Sequence, residues 1–152
     1  MKVDRVYTRS VVATTRDAPI SQAAAVMRKH HVGALLVMGE EPEDAQVIGI
    51  VTDRDLALRA VAEGLLPDDV RVCEVMTRDV AAVREDADLR DALERMRKAR
   101  VRRLVVTRGN GEVAGILSLD DVVDGLAEDL ASLARVVKSE LSGEAERDAR
   151  PR

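Results

Sequence analysis

Apolar residues recur along this chain with two alternating periods, and each change of period marks a new element. Val11 to Thr14 is a short apolar run of strand character, and Asp17-Ala18-Pro19 is a turn. Ile20, Ala23, Ala24 and Met27 then recur at helical spacing and predict a helix with a buried stripe, with proline suited to its first turn. Ala34 to Met38 and Val47 to Val51 are further strands around the polar loop Glu40-Glu41-Pro42-Glu43-Asp44. A helix from about Asp53 to Glu63 closes the unit near Gly64. The same order returns downstream. Val80 to Val83 is a strand, Asp88 is placed to cap a helix with the stripe Leu89, Ala92, Leu93 and Met96, and the strands Arg103–Thr107 and Val113–Leu117 face each other across Gly109-Asn110-Gly111. Beyond them Val122, Leu126, Leu130, Leu133, Val137 and Leu141 are spaced by four, four, three, four and four, a helix from about Leu119 to Leu141. The polar segment from Gly143 to Arg152 is expected to be disordered.

The recurrence is a duplication. A shift of 69 lays residues 3–37 on 72–106 with 15 identities in 35 positions. Past the first loop the offset falls to 66, which carries Gly49-Ile50 onto Gly115-Ile116 and Asp55 onto Asp121. The expected architecture is α+β, an α/β sandwich of two β-α-β-β-α repeats. Neither repeat has the apolar surface to stand alone comfortably, so the two are expected to pack about a pseudo-twofold axis, with the C-terminal helix extending beyond them. The divisions read 2–64 for the first repeat, 65–71 for a linker, 72–128 for the second repeat and 129–152 for the C-terminal helix and tail.

Each repeat ends on one grammar. Gly49-Ile50-Val51-Thr52 runs as a strand into Asp53-Arg54-Asp55, and Gly115-Ile116-Leu117-Ser118 runs into Leu119-Asp120-Asp121. A strand that meets a helix at a hydroxyl residue offers free N–H groups and a positive dipole end, where phosphates bind well. The carboxylate one turn on would suit ribose hydroxyls. Thr-x-x-Asp and Ser-x-x-Asp are equally the pattern of a capping box that simply starts a helix. Spacing alone leaves both readings open.

Composition narrows the chemistry. The 152 residues are 46% hydrophobic, yet Phe and Trp are absent and there is one Tyr, so aromatic stacking platforms for single-stranded nucleic acid are missing. A net charge of -4 argues against duplex binding. One cysteine, Cys73, excludes an internal disulfide framework and a cysteine-based zinc cluster, and it reads as a passive thiol. Met1-Lys2-Val3-Asp4-Arg5 lacks the apolar core of a signal peptide and no apolar run spans a bilayer, so a cytoplasmic protein is expected.

The repeat spacing, the strand-end motifs, Val72-x-x-Val75-Met76-Thr77 and Val32-Gly33-Ala34-Leu35-x-Val37 together resemble a tandem pair of CBS domains (named for cystathionine β-synthase), over roughly residues 2 to 128. The similarity is greatest to the short, stand-alone prokaryotic CBS-pair proteins. What the resemblance implies is binding of an adenosyl compound (AMP, ADP, ATP, S-adenosylmethionine or a dinucleotide such as NAD) between the repeats. On that resemblance Asp55 and Asp121 take the ribose hydroxyls, with Thr52 and Ser118 by ribose or phosphate. It also implies that the adenine is held by Val11, Val12, Val32, Gly33 and Ala34 in one repeat and Val80, Ala81, Val101, Arg102 and Arg103 in the other. The two sites are expected to differ. Arg54 inside the first motif suits phosphate, Asp120 in the second repels it, and Arg102 and Arg103 stand where the first repeat has Gly33 and Ala34. Which cleft receives those arginines is left open by the sequence.

The remaining candidates are weaker. Adjacent helical residues such as His30-His31 face apart and lack further ligands at usable spacing, so they read as a solvated helix end and no metal is expected. The basic run from Arg95 to Arg103 reads as helix surface with added phosphate contacts. No nucleophile–base set or phosphate loop appears, so an enzyme is not expected. The expected function is a regulatory sensor with no required cofactor and an adenine nucleotide as regulatory ligand. It would form a homodimer through the stripe Leu126/Leu130/Leu133/Val137 and signal to a partner protein. The alternative is a structural dimerisation or interaction module with vestigial clefts.

Overall fold

The structure, a computed structural model, describes residues 1–39 and 46–148. The loop expected at Glu40 to Asp44 and residues 149–152 lie outside the described residues. The first repeat contains β1 (Ala13–Thr15), α1 (Ile20–His30), β2 (Ala34–Met38), β3 (Val47–Thr52) and α2 (Asp53–Ala57), which runs on as a π-helical stretch over Leu58–Ala62. A short helix α3 (Val72–Val75) leads to β4 (Ala82–Arg84), α4 (Leu89–Ala99), β5 (Arg103–Thr107), β6 (Val113–Ser118) and α5 (Leu119–Asp148). Each repeat forms a three-stranded sheet, β1-β2-β3 and β4-β5-β6. The first pair of strands is parallel and the second antiparallel in both. Their registers correspond: Ala34 faces Thr52 as Arg103 faces Ser118.

The central strands explain why β2 and β5 read as unbroken apolar runs. Leu35 and Val37 join the first core, Leu104 and Val106 the second. Successive side chains point to opposite faces, and Leu36 and Val105 are buried too, so both faces of each central strand are covered. On the helices, Ile20, Ala23 and Met27 are buried, and so are Leu89, Ala92 and Met96. Ala24 and Leu93 were expected in those stripes but are exposed. The sheet takes up three stripe positions per helix, and the flank carrying Ala24 and Leu93 is left outside.

The repeats exchange their leading segments. Val3 donates its N–H to the Ala87 carbonyl of the second repeat (3.0 Å), and Val72 donates to the Ala18 carbonyl of the first (2.9 Å). Thr8 pairs with Ile116 on β6, and Thr77 with Ile50 on β3. Each contact has its counterpart with the repeats interchanged, as a pseudo-twofold relation requires. Val3 and Tyr7 complete the core of the second repeat, and Val70 and Val72 that of the first. The exchange also supplies the caps. Asp88 stands at the start of α4 without a side-chain cap bond, and the free Leu89 N–H of the first turn is taken by the Met1 carbonyl (3.0 Å).

The sequence contains a single Tyr. It lies in that second core, where Tyr7 donates its hydroxyl to Glu85 (3.2 Å) under the Arg9 guanidinium. Helix α5 continues to Asp148, past the end of the apolar stripe at Leu141. The segment expected to be irregular is rich in Glu, Ala and Arg, which favour helix, and a single Gly143 does not interrupt it.

Helices α1 and α4 both end on a residue in the left-handed region, His31 (φ 55°) and Arg100 (φ 55°), positions that correspond under the repeat. Glycine adopts this conformation without the Cβ conflict that costs other residues about 1 kcal/mol or more. His31 is exposed, so His31→Gly is expected to stabilise the fold by about 1 kcal/mol. Urea denaturation checks it; an unchanged or lowered midpoint contradicts it.

Candidate functional site

Both strand-end motifs form complete capping boxes. At the end of β3, the Thr52 N–H (2.8 Å) and hydroxyl (2.7 Å) donate to Asp55 Oδ2, and the Asp55 N–H donates back to Thr52 Oγ1 (3.3 Å). At the end of β6, the Ser118 N–H (2.7 Å) and hydroxyl (2.6 Å) donate to Asp121 Oδ2, and the Asp121 N–H returns to Ser118 Oγ (3.1 Å). The box consumes one carboxylate oxygen in each case. The second oxygens differ. Asp121 Oδ1 accepts from the Thr8 hydroxyl of the exchanged leader (3.4 Å). For Asp55 Oδ1 no such bond is present among the described residues, although Thr77 corresponds to Thr8.

Asp55 opens onto a cavity of about 240 Å³ between the repeats. The first repeat contributes Ile50, Thr52 and Asp55. The second contributes Thr77, Asp79, Val80, Ala81 and the run Arg100 to Arg103. This gathers seven of the residues singled out in the sequence: Thr52, Asp55, Val80, Ala81, Val101, Arg102 and Arg103. The cleft thus mixes one repeat's motif with the other repeat's wall, and the arginines fall to the Asp55 side. A pocket of this size is smaller than most ligand sites, and its mouth is open.

The other eight lie elsewhere, Val11 among them, half-buried just before β1. Ser118 and Asp121 form the second box. Val12 and Val32 pack partly against the first core, and Ala34 opens β2 opposite Thr52. The Gly33 carbonyl accepts the Asp53 N–H (3.1 Å). Arg54 is exposed and does not line the cavity.

Three lining residues were missed in the sequence, Ile50, Thr77 and Asp79, while Arg100 belongs to the basic run read there as helix surface with added phosphate contacts. Ile50 and Thr77 come together through the leader exchange, which no periodicity reveals. Arg100 enters the wall because α4 ends there in the left-handed conformation.

The basic run divides. Arg97 forks onto Glu94 through Nε (2.9 Å) and Nη2 (2.7 Å), and that hydrogen-bonded guanidinium holds the Glu94 carboxyl down at about 2. Lys98 adds to the same carboxylate at 3.5 Å. These charges serve the helix surface. Arg102 reaches Asp120 (3.3 Å), whereas the guanidinium groups of Arg100 and Arg103 have no hydrogen bond or ion pair among the described residues. The glycine of each motif has a structural task. A Cβ on Gly115 would lie 2.2 Å from the Thr8 carbonyl oxygen, and one on Gly49 would lie 2.7 Å from Met76 Sδ, so both yield room to the crossing leader. Among the described residues no helix is long and apolar enough to cross a membrane, and no group of three or more His, Cys, Asp or Glu is placed to hold a metal ion.

Comparison with known proteins places this geometry in a family. The family model for the CBS domain matches twice, over residues 3–61 and 72–128. The CBS domain-containing protein YhcV of Bacillus subtilis is 34% identical over 115 residues, 76% of this chain and 78% of that protein. An uncharacterised protein of Methanopyrus kandleri is 31% identical over 123 residues, 81% of this chain but 61% of that protein's own length. Among solved structures, a CBS domain protein of Pyrobaculum aerophilum complexed with AMP superposes with a TM-score of 0.69 at 27% identity, covering 80% of this chain and 89% of that one. The two-repeat fold is shared with that structure, and the chain is a tandem pair of CBS domains and belongs to the CBS-domain family.

Proposed function

We propose that this CBS pair is a regulatory sensor that binds an adenosyl nucleotide in the Thr52/Asp55 cleft and signals occupancy to a partner protein. The observation that carries the reading is Asp55. Its Oδ2 is spent on the capping box, its Oδ1 has no hydrogen bond among the described residues, and the residue lines a cavity walled by Val80, Ala81, Val101 and three arginines. A carboxylate oxygen accepts only, which suits ribose hydroxyls. Aliphatic walls suit an adenine face, and guanidinium groups suit phosphate. The AMP complex of the Pyrobaculum aerophilum relative supports the same ligand class.

A second reading has an observation behind it as well. Both motifs do act as capping boxes, which is all that a structural module with vestigial clefts would ask of them. A thermal-shift panel of AMP, ADP, ATP, S-adenosylmethionine and NAD separates the two. A ligand at about 100 times its dissociation constant stabilises the fold by about 2.7 kcal/mol. A rise in Tm with at least one compound is expected; no shift with any of them favours the interaction module.

Signalling needs a surface that two states present differently, because a ligand shifts only an equilibrium whose states it distinguishes. Helix α5 offers one. Leu126 (44%), Leu130 (66%), Leu133 (64%) and Val137 (55%) form an exposed apolar stripe along it. We assign this stripe to a second copy of the chain. Light scattering is expected to give twice the 16.6 kDa chain mass, and Leu130→Asp with Leu133→Asp to return it to the monomer. A monomeric mass for the unaltered chain contradicts the assignment.

A further inference from the structure

Resting on the nucleotide reading of the Thr52/Asp55 cleft, we infer that this cleft selects for the phosphate end of its ligand. It takes phosphorylated nucleosides and discriminates against neutral adenosine and against the cationic sulfonium S-adenosylmethionine, with Arg100 and Arg103 as the specificity-determining residues. The argument begins with charge. On a chain of net charge -4, the cavity wall carries Arg100, Arg102 and Arg103 against Asp55 and Asp79. Asp55 is already engaged by the N–H and hydroxyl of Thr52, and Arg102 is paired with Asp120. What remains is two guanidinium groups without partners among the described residues, Arg100 and the half-buried Arg103.

A half-buried guanidinium without a partner is costly to keep, and this one is placed by the fold. Arg103 opens β5, and its Nη2 passes over Gly33 of the first repeat, where a Cβ would come within 3.4 Å of it. The carboxylate of Asp53 borders the same spot but makes no ion pair with Arg103 within 4.0 Å among the described residues. Arg100 is held in the wall by the left-handed turn that ends α4. A phosphate seated between the two would receive charge-assisted bonds from both, while a sulfonium would meet like charge.

The pseudo-equivalent positions act as an internal control. Where the second repeat has Arg100, Arg102 and Arg103, the first has His31, Gly33 and Ala34. Arg103 stands opposite Ser118 in the sheet and Arg102 pairs with Asp120, but the cavity lined by Arg100, Arg102 and Arg103 is the one that Asp55 lines, and Thr8 already occupies the second oxygen of Asp121.

Calorimetric titration of the full chain with adenosine, AMP, ADP, ATP and S-adenosylmethionine tests this, repeated on Arg100→Gln, Arg103→Gln and the double variant. The phosphorylated ligands are expected to bind at least about tenfold tighter than adenosine, with S-adenosylmethionine no tighter than adenosine. Each single variant is expected to lose about tenfold for AMP and ATP. The double variant is expected to bind AMP no better than adenosine, with an unchanged urea denaturation midpoint showing that it is folded. S-adenosylmethionine binding as tightly as AMP, or a double variant that still prefers AMP to adenosine, overturns the inference and leaves the nucleotide site standing. No binding by any of the five compounds overturns both.

Discussion

Replacing Gly115 by alanine is expected to cost about 3 kcal/mol or more, a large share of the stability of a small domain. The added Cβ would stand 2.2 Å from the Thr8 carbonyl oxygen and 2.6 Å from the Tyr7 ring. Neither obstacle is free to move. The Thr8 carbonyl accepts the Ile116 N–H (3.0 Å), and Tyr7 is buried in the second core. Relief requires the leader to lift off β6, which breaks the Thr8–Ile116 pair and pulls Tyr7 and Val3 from the core they complete. Gly49 is the counterpart in the first repeat, yet a Cβ there meets the flexible Met76 thioether at 2.7 Å and the Thr77 carbonyl oxygen only at 3.0 Å. Methionine can turn aside, so Gly49→Ala is expected to cost about 1 kcal/mol. Urea denaturation of the two variants against the unaltered chain measures both. Equal midpoints for the two, or a loss at Gly115 below about 1 kcal/mol, would sink the account of the glycines as seats for an exchanged leader.

The contrast between these glycines marks where sequence reasoning stopped. Strand and helix periods placed β2, β3, β5 and β6 within a residue of their observed ends, because each carries its own apolar pattern. The duplication was equally plain, since 15 of 35 aligned positions are identical. The exchange of leaders was not visible. Val3, Tyr7, Val70 and Val72 are apolar whichever repeat they serve, and nothing local records which core they enter. The site suffered from the same gap. Thr52 and Asp55 were found through a motif, and Val80, Ala81, Val101, Arg102 and Arg103 through the resemblance to the CBS family, but joining them across the boundary required the packing. Thr77 and Asp79 entered with the crossing leader. Arg54 stood out by residue type alone; it projects from the first turn of α2 into solvent, which a one-dimensional motif does not distinguish from projection into the cleft. Ala24 and Leu93 show the same limit on a smaller scale, since helical spacing gives the stripe but not how wide a stripe the sheet will cover.

The two motif carboxylates are identical in sequence role and should differ most in function. Asp55→Ala is expected to weaken AMP and ATP binding by about thirtyfold, whereas Asp121→Ala is expected to change it by less than about threefold. Both substitutions break a capping box and should each cost about 1 kcal/mol of stability, so stability loss cannot by itself account for a difference in affinity. The difference comes from the second oxygen. Asp55 lines a cavity that Val80, Ala81 and the arginines also line, with Oδ1 free of hydrogen bonds among the described residues, so removing it takes away an acceptor for ribose hydroxyls. Asp121 Oδ1 already accepts from Thr8, and its side of the pseudo-twofold has Gly33 and Ala34 in place of arginine. A ligand there would have to displace Thr8 before its ribose could reach that oxygen. Calorimetry of the two variants at matched ionic strength provides the comparison, with denaturation midpoints as the control for folding. Equal losses of affinity would mean that both clefts bind, and that the Thr8 contact yields to a ligand as readily as solvent does.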